Sequence, residues 1–258
     1  MADPRTPSPG VVALSLLGFG VFWSVLAWLR GDPSILPPPT TVAAKIASEW
    51  ASGELMYHVS ATLGRVVAAF GLAMVFGTII GIAMGKSAGL DRWFGAWLVV
   101  FLNIPALVII VLCYLWIGLN EVAAITAVAL NKTAMVAVTL REGMYARDPK
   151  LAEMARAFRM PPLMRLRHVV LPQLWPFFAA STRNGLAIIW KIVLVVEFLG
   201  RSNGVGFQIH LYFQLFDIVT VLAYALSFVA VMLAIEYLLI GTFARRATRW
   251  RRLATASA

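Results

Sequence analysis

Long apolar segments separated by short polar ones make up most of this chain. A helix that crosses a bilayer needs roughly 20 mainly apolar residues. Six stretches meet that requirement, at about 11–29, 59–84, 94–118, 122–140, 174–199 and 219–243. The pattern predicts an all-α, polytopic membrane protein with about six transmembrane helices in one domain, residues 1–258.

The polar segment 141–172 differs from the other connections because it carries a helical pattern of its own. Asp148 suits an N-cap and Pro149 the first helical position, where a missing N–H costs nothing. Apolar residues then recur at helical spacing, which predicts a short amphipathic helix ended by Pro161 and Pro162. A second short helix is predicted to run from there to Leu171 and Pro172. The apolar face of the first helix comprises Leu151, Met154, Ala155 and Phe158.

The location of the basic residues orients the chain. Of the 258 residues, 60% are hydrophobic and 13% charged, and the net charge is +10. Most of the 22 Lys and Arg lie on one side of the predicted spans, in both termini and in segment 141–172, whereas Arg30, Lys45 and Arg201 lie on the other. The positive-inside rule therefore predicts that both termini and segment 141–172 are cytoplasmic. The basic C-terminus is expected to contact anionic lipid headgroups. Nucleic acid is not expected as a partner, since no aromatic-interleaved basic patch accompanies the charge.

Small residues recur every four positions along the second predicted span, at Ala73, Gly77, Gly81 and Gly85. Such a stripe lets the backbone of a neighbouring helix approach closely. The end of this span, Gly81–Ser87, reads GIAMGKS and is reminiscent of a phosphate-binding loop. Three residues rather than four separate its glycines, and the segment closes a helix instead of opening one. We therefore expect this chain to bind no ATP.

The segment from Glu153–Arg156 through Val169–Pro172 resembles the EAA loop of permease subunits of bacterial ABC importers. The resemblance covers about residues 36–210, and this part of the chain is similar to the nitrate, sulfonate and taurine branch of that family. Two positions depart from the pattern, since Met154 stands where the family usually has Ala and Arg159 where it usually has Gly. The other segments that carry the likeness are 36–38, 104–105, 115–118, 148–149, Trp190, 197–200 and 204–206.

The resemblance implies a type I ABC importer permease fold in a bacterial inner membrane. It implies a subunit that is not itself catalytic, paired with a second copy of the permease in a homodimer. A separate ATPase subunit would bind ATP and Mg, and an extracytoplasmic binding protein would deliver the solute. Because Arg159 lacks the backbone freedom of glycine, the break after the first coupling helix is expected at the two prolines. The residues expected to couple to the ATPase are Glu153, Met154, Ala155, Phe158, Arg159, Leu171 and Pro172.

Polar residues inside predicted spans are costly and usually face a cavity or a partner. As a lining, they would attract a small anion such as a sulfonate, taurine, nitrate or a carboxylate. Alternatively, the cations pair with Glu197 or Glu236 inside the bundle, and Asn103 bonds the backbone of a neighbouring helix. The substrate-pathway candidates are Asn103, Asn131, Lys132, Arg183, Asn184 and Lys191.

Two other classes of function remain open at this point. A secondary carrier usually has a doubled set of helices and coupling carboxylates near mid-membrane, whereas the acids here lie towards the ends of the spans. An intramembrane enzyme needs a catalytic pair within the spans, and the sequence offers none. No metal site is expected, because His58, His210 and the single Cys113 are isolated from one another. A co-purifying ATPase and binding protein would favour the importer.

Overall fold

The computed structural model describes the backbone of residues 9–247 and the side chains of residues 10–236. Predictions for the basic termini, including Arg5, Arg249, Arg251 and Arg252, fall outside the described residues. Within them every regular element is helical, in agreement with the predicted all-α class. The helices are α1 (Pro9–Arg30), α2 (Pro39–Ser52), α3 (Glu54–Lys86), α4 (Ala88–Asn103), α5 (Ala106–Ile117), α6 (Glu121–Tyr145), α7 (Pro149–Ala157), α8 (Pro162–Arg165), a π-helical segment (Leu166–Val170), α9 (Leu171–Gly200), α10 (Val205–Gln214) and α11 (Ile218–Ala247).

Five of the six predicted spans each fall on a single helix. Over the described residues, four helices are long and apolar enough to cross a membrane, namely α1, α3, α6 and α11, and the α4–α5 pair would make a fifth. Helix α9 has 30 residues and is also long enough. It carries three charged residues, Arg183, Lys191 and Glu197.

The prediction of a single helix over 94–118 is wrong. Helix α4 ends at Asn103, α5 begins at Ala106, and the two axes differ by 97°. Pro105 explains the break, because it lacks an N–H and pushes the preceding residue out of the helical region. Ile104 accordingly has extended dihedrals, with φ −73° and ψ 124°.

The predicted small-residue stripe is confirmed as the contact between α3 and α6, the most extensive helix pair of the described chain. A Cβ added at Gly77 would lie 2.5 Å from the Val136 Cβ, and one at Gly81 would lie 2.5 Å from the Ala137 carbonyl oxygen. These glycines are therefore required by the distance between the two helices.

Helix α9 packs against both α6 and α3 and thus completes the centre of the bundle. At the opposite end from segment 141–172, α2, α10 and α11 surround a second apolar cluster that includes Leu55, Val205, Tyr224 and Phe228. Helix α1 is mostly exposed, since only 6% of the residues in its most apolar stretch are buried. A hydrogen bond of 3.1 Å from Trp23 Nε1 to the Pro37 carbonyl connects α1 to the segment before α2.

Residues 162–200 form one uninterrupted helical run, α8, the π-helical segment and α9. The second predicted short helix therefore does not end at Leu171–Pro172 but merges with the fifth span. Pro172 would clash with the His168 carbonyl in a regular α-helix. The wider π-turn accommodates it, and the Leu171 N–H donates to the Leu166 carbonyl, five residues back.

Candidate functional site

Helix α7 begins as predicted. The Asp148 side chain accepts a hydrogen bond of 2.8 Å from the Lys150 N–H, and Pro149 occupies the first turn. An N-cap bond of this kind stabilises a helix by about 1 kcal/mol. The start of the proposed coupling helix is therefore determined by its own sequence.

The end of α7 differs from the prediction. The helix stops at Ala157, four residues before Pro161, and Arg159 adopts a left-handed conformation with φ +48°. The Met160 N–H donates to the Ala155 carbonyl and the Arg159 N–H to the Arg156 carbonyl, which is a Schellman motif. Arg159 thus takes the backbone geometry that the family's glycine would allow, at a cost of roughly 1 kcal/mol. The expectation that the prolines make the break is wrong.

The predicted coupling residues divide into two groups by exposure. Ala155 is 1% exposed and lies on the side of α7 that contacts the π-helical segment. It therefore packs within the chain and is not available to a partner in this conformation. The other members are exposed: Glu153, Met154, Phe158, Arg159, Leu171 and Pro172.

Gln173, which the sequence analysis did not single out, ties α7 to the base of α9. Its Oε1 accepts a hydrogen bond of 2.8 Å from the Asp148 N–H, and its Nε2 donates one of 2.7 Å to the Val169 carbonyl. Both halves of the amide are thus used. No pattern in the sequence pairs Gln173 with Asp148, because they lie 25 residues apart.

The exposed surface of segment 147–168 is strongly basic. Among the described side chains, none of its exposed cations forms an ion pair within this surface. Burial and the nearby Arg165 lower the pKa of the Arg147 guanidinium, so the cations also repel one another. The exposed basic residues are Lys150, Arg156, Arg159, Arg165 and Arg167.

The pathway candidates on α9 share one exposed face. Arg183, Asn184 and Lys191 are exposed, and Lys191 Nζ lies 5.5 Å from the Trp190 ring centroid. Neither Arg183 nor Lys191 forms an ion pair with a described side chain. The alternative that Arg183 and Lys191 pair with Glu197 is therefore not observed.

The remaining candidates lie on α4 and α6. Asn103 Nδ2 donates to the Val99 carbonyl at 2.8 Å, so it bonds the backbone of its own helix rather than that of a neighbour. Asn131 is half-buried. Lys132 is 2% exposed, and its Nζ contacts the Met135 sulfur at 2.9 Å without a carboxylate partner among the described residues.

Glu197 is paired with Arg65, a residue within the predicted span 59–84 that the sequence analysis did not single out. Arg65 Nη1 and Glu197 Oε1 lie 2.5 Å apart, and their side chains are 6% and 0% exposed. Thr62 and the Gly206 N–H each donate to Glu197 Oε2 at 2.9 Å. The buried carboxylate is thus well satisfied, as a charge in an apolar interior requires.

The same guanidinium reaches a second carboxylate at the surface. Arg65 Nη2 lies 2.6 Å from Glu121 Oε1, and Arg201 Nη2 lies 2.7 Å from that oxygen. Asn203 accepts from Arg65 through both its backbone and its side-chain oxygen. This ion network joins α3, α6, α9 and the loop before α10 at the end of the bundle opposite segment 141–172.

Comparisons with the sequences of known proteins identify the family of this chain. Residues 73–251 match the family model described as binding-protein-dependent transport system inner membrane component. The chain is 30% identical over 188 residues to a putative aliphatic sulfonates transport permease protein of Bacillus subtilis, covering 72% of this chain and 68% of that one. It is 26% identical to the taurine transport system permease protein of Escherichia coli, covering 95% and 90%.

A solved amino acid ABC transporter shares the fold, with a TM-score of 0.63 at 22% identity over 78% of this chain and 97% of that chain. The fold and the sequence matches define a multi-pass membrane subunit of an ABC importer, with the fold of type I importer permeases. The chain belongs to the family of binding-protein-dependent transport system inner membrane components. It is accordingly a transporter subunit rather than a catalytic enzyme, and the alternatives of a secondary carrier and an intramembrane enzyme fall away.

Proposed function

We propose that two copies of this chain form the translocation pathway for a small anionic solute in a bacterial inner membrane, with both termini in the cytoplasm. An extracytoplasmic binding protein delivers the solute. A separate ATPase subunit binds ATP and Mg and drives alternating access through segment 141–172. The observation that carries this proposal is the exposed, capped helix α7, tied to the 30-residue helix α9.

The surface of α7 suits a protein partner. Met154 is 40% exposed and Phe158 77% exposed, and a groove on another chain would bury both. Glu153 lies on the side of the helix away from the buried Ala155, by helical periodicity. Glu153 is therefore a negative charge among exposed cations. A partner that pairs with this charge selects one position of the docked helix.

The exposed face of α9 suits a pathway or a contact between copies. Arg183 and Lys191 lie about 12 Å apart along the helix axis at 1.5 Å per residue. A charged side chain in a span is costly against lipid, so this face lies against water or protein. Lys132 approaches from α6, where a Cβ on Gly185 would lie 3.4 Å from its Cε. The two exposed cations of α9, with the buried Lys132 behind them, favour an anion, in accord with the relatives named for sulfonate and taurine transport.

We expect Glu153→Lys to uncouple ATP hydrolysis from import, because it reverses the charge of the exposed helix without disturbing a contact inside the chain. Import in proteoliposomes that hold the complete importer should fall roughly tenfold or more, while basal ATP hydrolysis persists. The matched control is Arg92→Glu, a charge reversal at an exposed residue of α4 outside segment 141–172. Wild-type import together with wild-type stimulated hydrolysis would contradict the coupling role.

Unlike Glu153→Lys, the substitution Ala155→Asp would test folding rather than coupling to the ATPase. Ala155 is 1% exposed, so an aspartate there buries a carboxylate between α7 and the π-helical segment. A loss of folding would follow before any partner was involved.

Removing the cations of α9 tests the pathway. In Arg183→Gln and Lys191→Gln, import of an anionic solute should fall roughly tenfold, because a cleft lined by one sign of charge concentrates its counter-ion. The same variants should leave the affinity of the isolated binding protein unchanged. Arg92→Gln serves as the control for loss of a positive charge elsewhere. Undiminished import by both variants, or a neutral solute in a ligand screen of the co-purified binding protein, would refute the anionic pathway.

A further inference from the structure

Helix α7 has an N-cap whose usual second half is missing. In a capping box, the side chain three residues after the cap returns to the N–H of the cap residue. The cap here is Asp148, and the residue at that position is Leu151, which has no polar atom. The Asp148 N–H instead donates to Gln173 Oε1 at 2.8 Å. The reciprocal bond therefore comes from another helix.

Gln173 is itself held at its other end. Its Nε2 donates to the Val169 carbonyl at 2.7 Å, one turn back in the π-helical segment. Pro172 fixes the backbone next to it, and Val169 is 6% exposed. The amide is the one side-chain group of this length that supplies both an acceptor and a donor without charge. One hydrogen bond thus joins the N-cap residue of α7 to Gln173 at the foot of α9, and a second holds the Gln173 side chain against the preceding helical turn.

The joint lies on a helix that reaches the far side of the bundle. Helix α9 extends from Leu171 to Gly200, with Pro176 inside it removing one backbone hydrogen bond. Glu197, near its other end, accepts hydrogen bonds from Arg65 of α3 and from the Gly206 N–H in the first turn of α10. A change in the angle between α7 and α9 would therefore remain local only if the joint at Gln173 or the helix at Pro176 yielded.

We propose that Gln173 is a positioning residue that fixes the angle between the coupling helix α7 and the spanning helix α9, so that displacement of α7 by the ATPase moves α9 as one body. The inference rests on the proposed function of segment 141–172. The side chain that transmits the motion of α7 to α9 then contacts neither the ATPase nor the solute.

The test compares Gln173→Met with Gln173→Glu in the complete importer in proteoliposomes. Methionine has similar length and makes neither hydrogen bond, whereas glutamate keeps the acceptor for the Asp148 N–H and loses the donor. The number of ATP molecules hydrolysed per solute imported should rise roughly three- to tenfold in Gln173→Met and less in Gln173→Glu. The amount of assembled importer should stay near that of the wild type. Gln214→Met is the control, because Gln214 is an exposed glutamine of α10 bonded only to His210 among the described contacts.

A second readout reports the joint directly. Spin labels at the exposed positions 157 on α7 and 180 on α9, in a Cys113→Ala background, should show a broader distance distribution in Gln173→Met than in the parent. A wild-type ratio of hydrolysis to import would overturn the proposal, and so would a smaller amount of importer that retains the wild-type ratio. If Glu153→Lys uncouples and Gln173→Met does not, the docking surface stands and the joint is refuted. If neither uncouples, the proposed function fails as well.

Discussion

Replacing Arg65 with methionine should destabilise the folded chain by about 3–5 kcal/mol, the usual cost of leaving one member of a buried ion pair without its partner. Glu197 has a fully buried side chain, so no water can replace the lost guanidinium. Glu121 loses less, since 47% of its side chain is exposed and it keeps Arg201. The measurement is the fraction of monodisperse protein that remains in detergent after heating, compared with the wild type.

The double variant Arg65→Met, Glu197→Met separates charge from packing. Replacing both members by apolar residues of similar volume removes the unpaired charge and should recover much of the lost stability. Arg92→Met is the control for loss of an exposed arginine. If the single and double variants were equally unstable, packing and not the unpaired carboxylate would account for the effect.

Gly81→Ala should prevent α3 and α6 from packing at their native distance, at a cost of about 3 kcal/mol or more. The added methyl would lie 2.5 Å from the Ala137 carbonyl oxygen and 2.9 Å from the Leu140 Cβ. A backbone oxygen cannot move aside as a flexible side chain can, so the helices must separate. We expect a large loss of folded protein in detergent and of assembled importer in membranes.

The same helix provides a matched control. Gly71 also lies in α3, but a Cβ there would meet no atom within 4 Å. Gly71→Ala should therefore be neutral, or stabilising by up to about 1 kcal/mol through better helix propensity. Similar behaviour of the two variants would show that close contact along the stripe does not limit packing.

The positions of the spanning helices could be predicted because apolar length alone determines where a helix can cross a bilayer. The bend between α4 and α5 was missed for the same reason. The apolar run continues across Pro105, so hydropathy registers no change where the backbone turns by 97°. Only the covalent chemistry of proline marked that position.

Within the candidate site, local signals were predictable and tertiary ones were not. Asp148 and Pro149 marked the start of α7 because capping acts between near neighbours. Arg159 misled, since residue type alone argues against a left-handed conformation that the hydrogen bonds of a Schellman motif stabilise here. The partners of Glu197 could not be found from the sequence, because Arg65 lies 132 residues away and burial selects the pair.

The length of the helical run from Pro162 to Gly200 also determines how far its far end moves when its foot rotates. At 1.5 Å per residue its 39 positions extend about 58 Å, longer than the thickness of a bilayer with its headgroups. Tilting such a lever by about 5° around its foot would displace its tip by roughly 5 Å, close to one helical turn. A small rotation at the end near segment 141–172 would thus be amplified at Glu197, where four elements meet. The glycine at position 204, with φ +108°, lies just beyond the tip and permits the chain to reverse there.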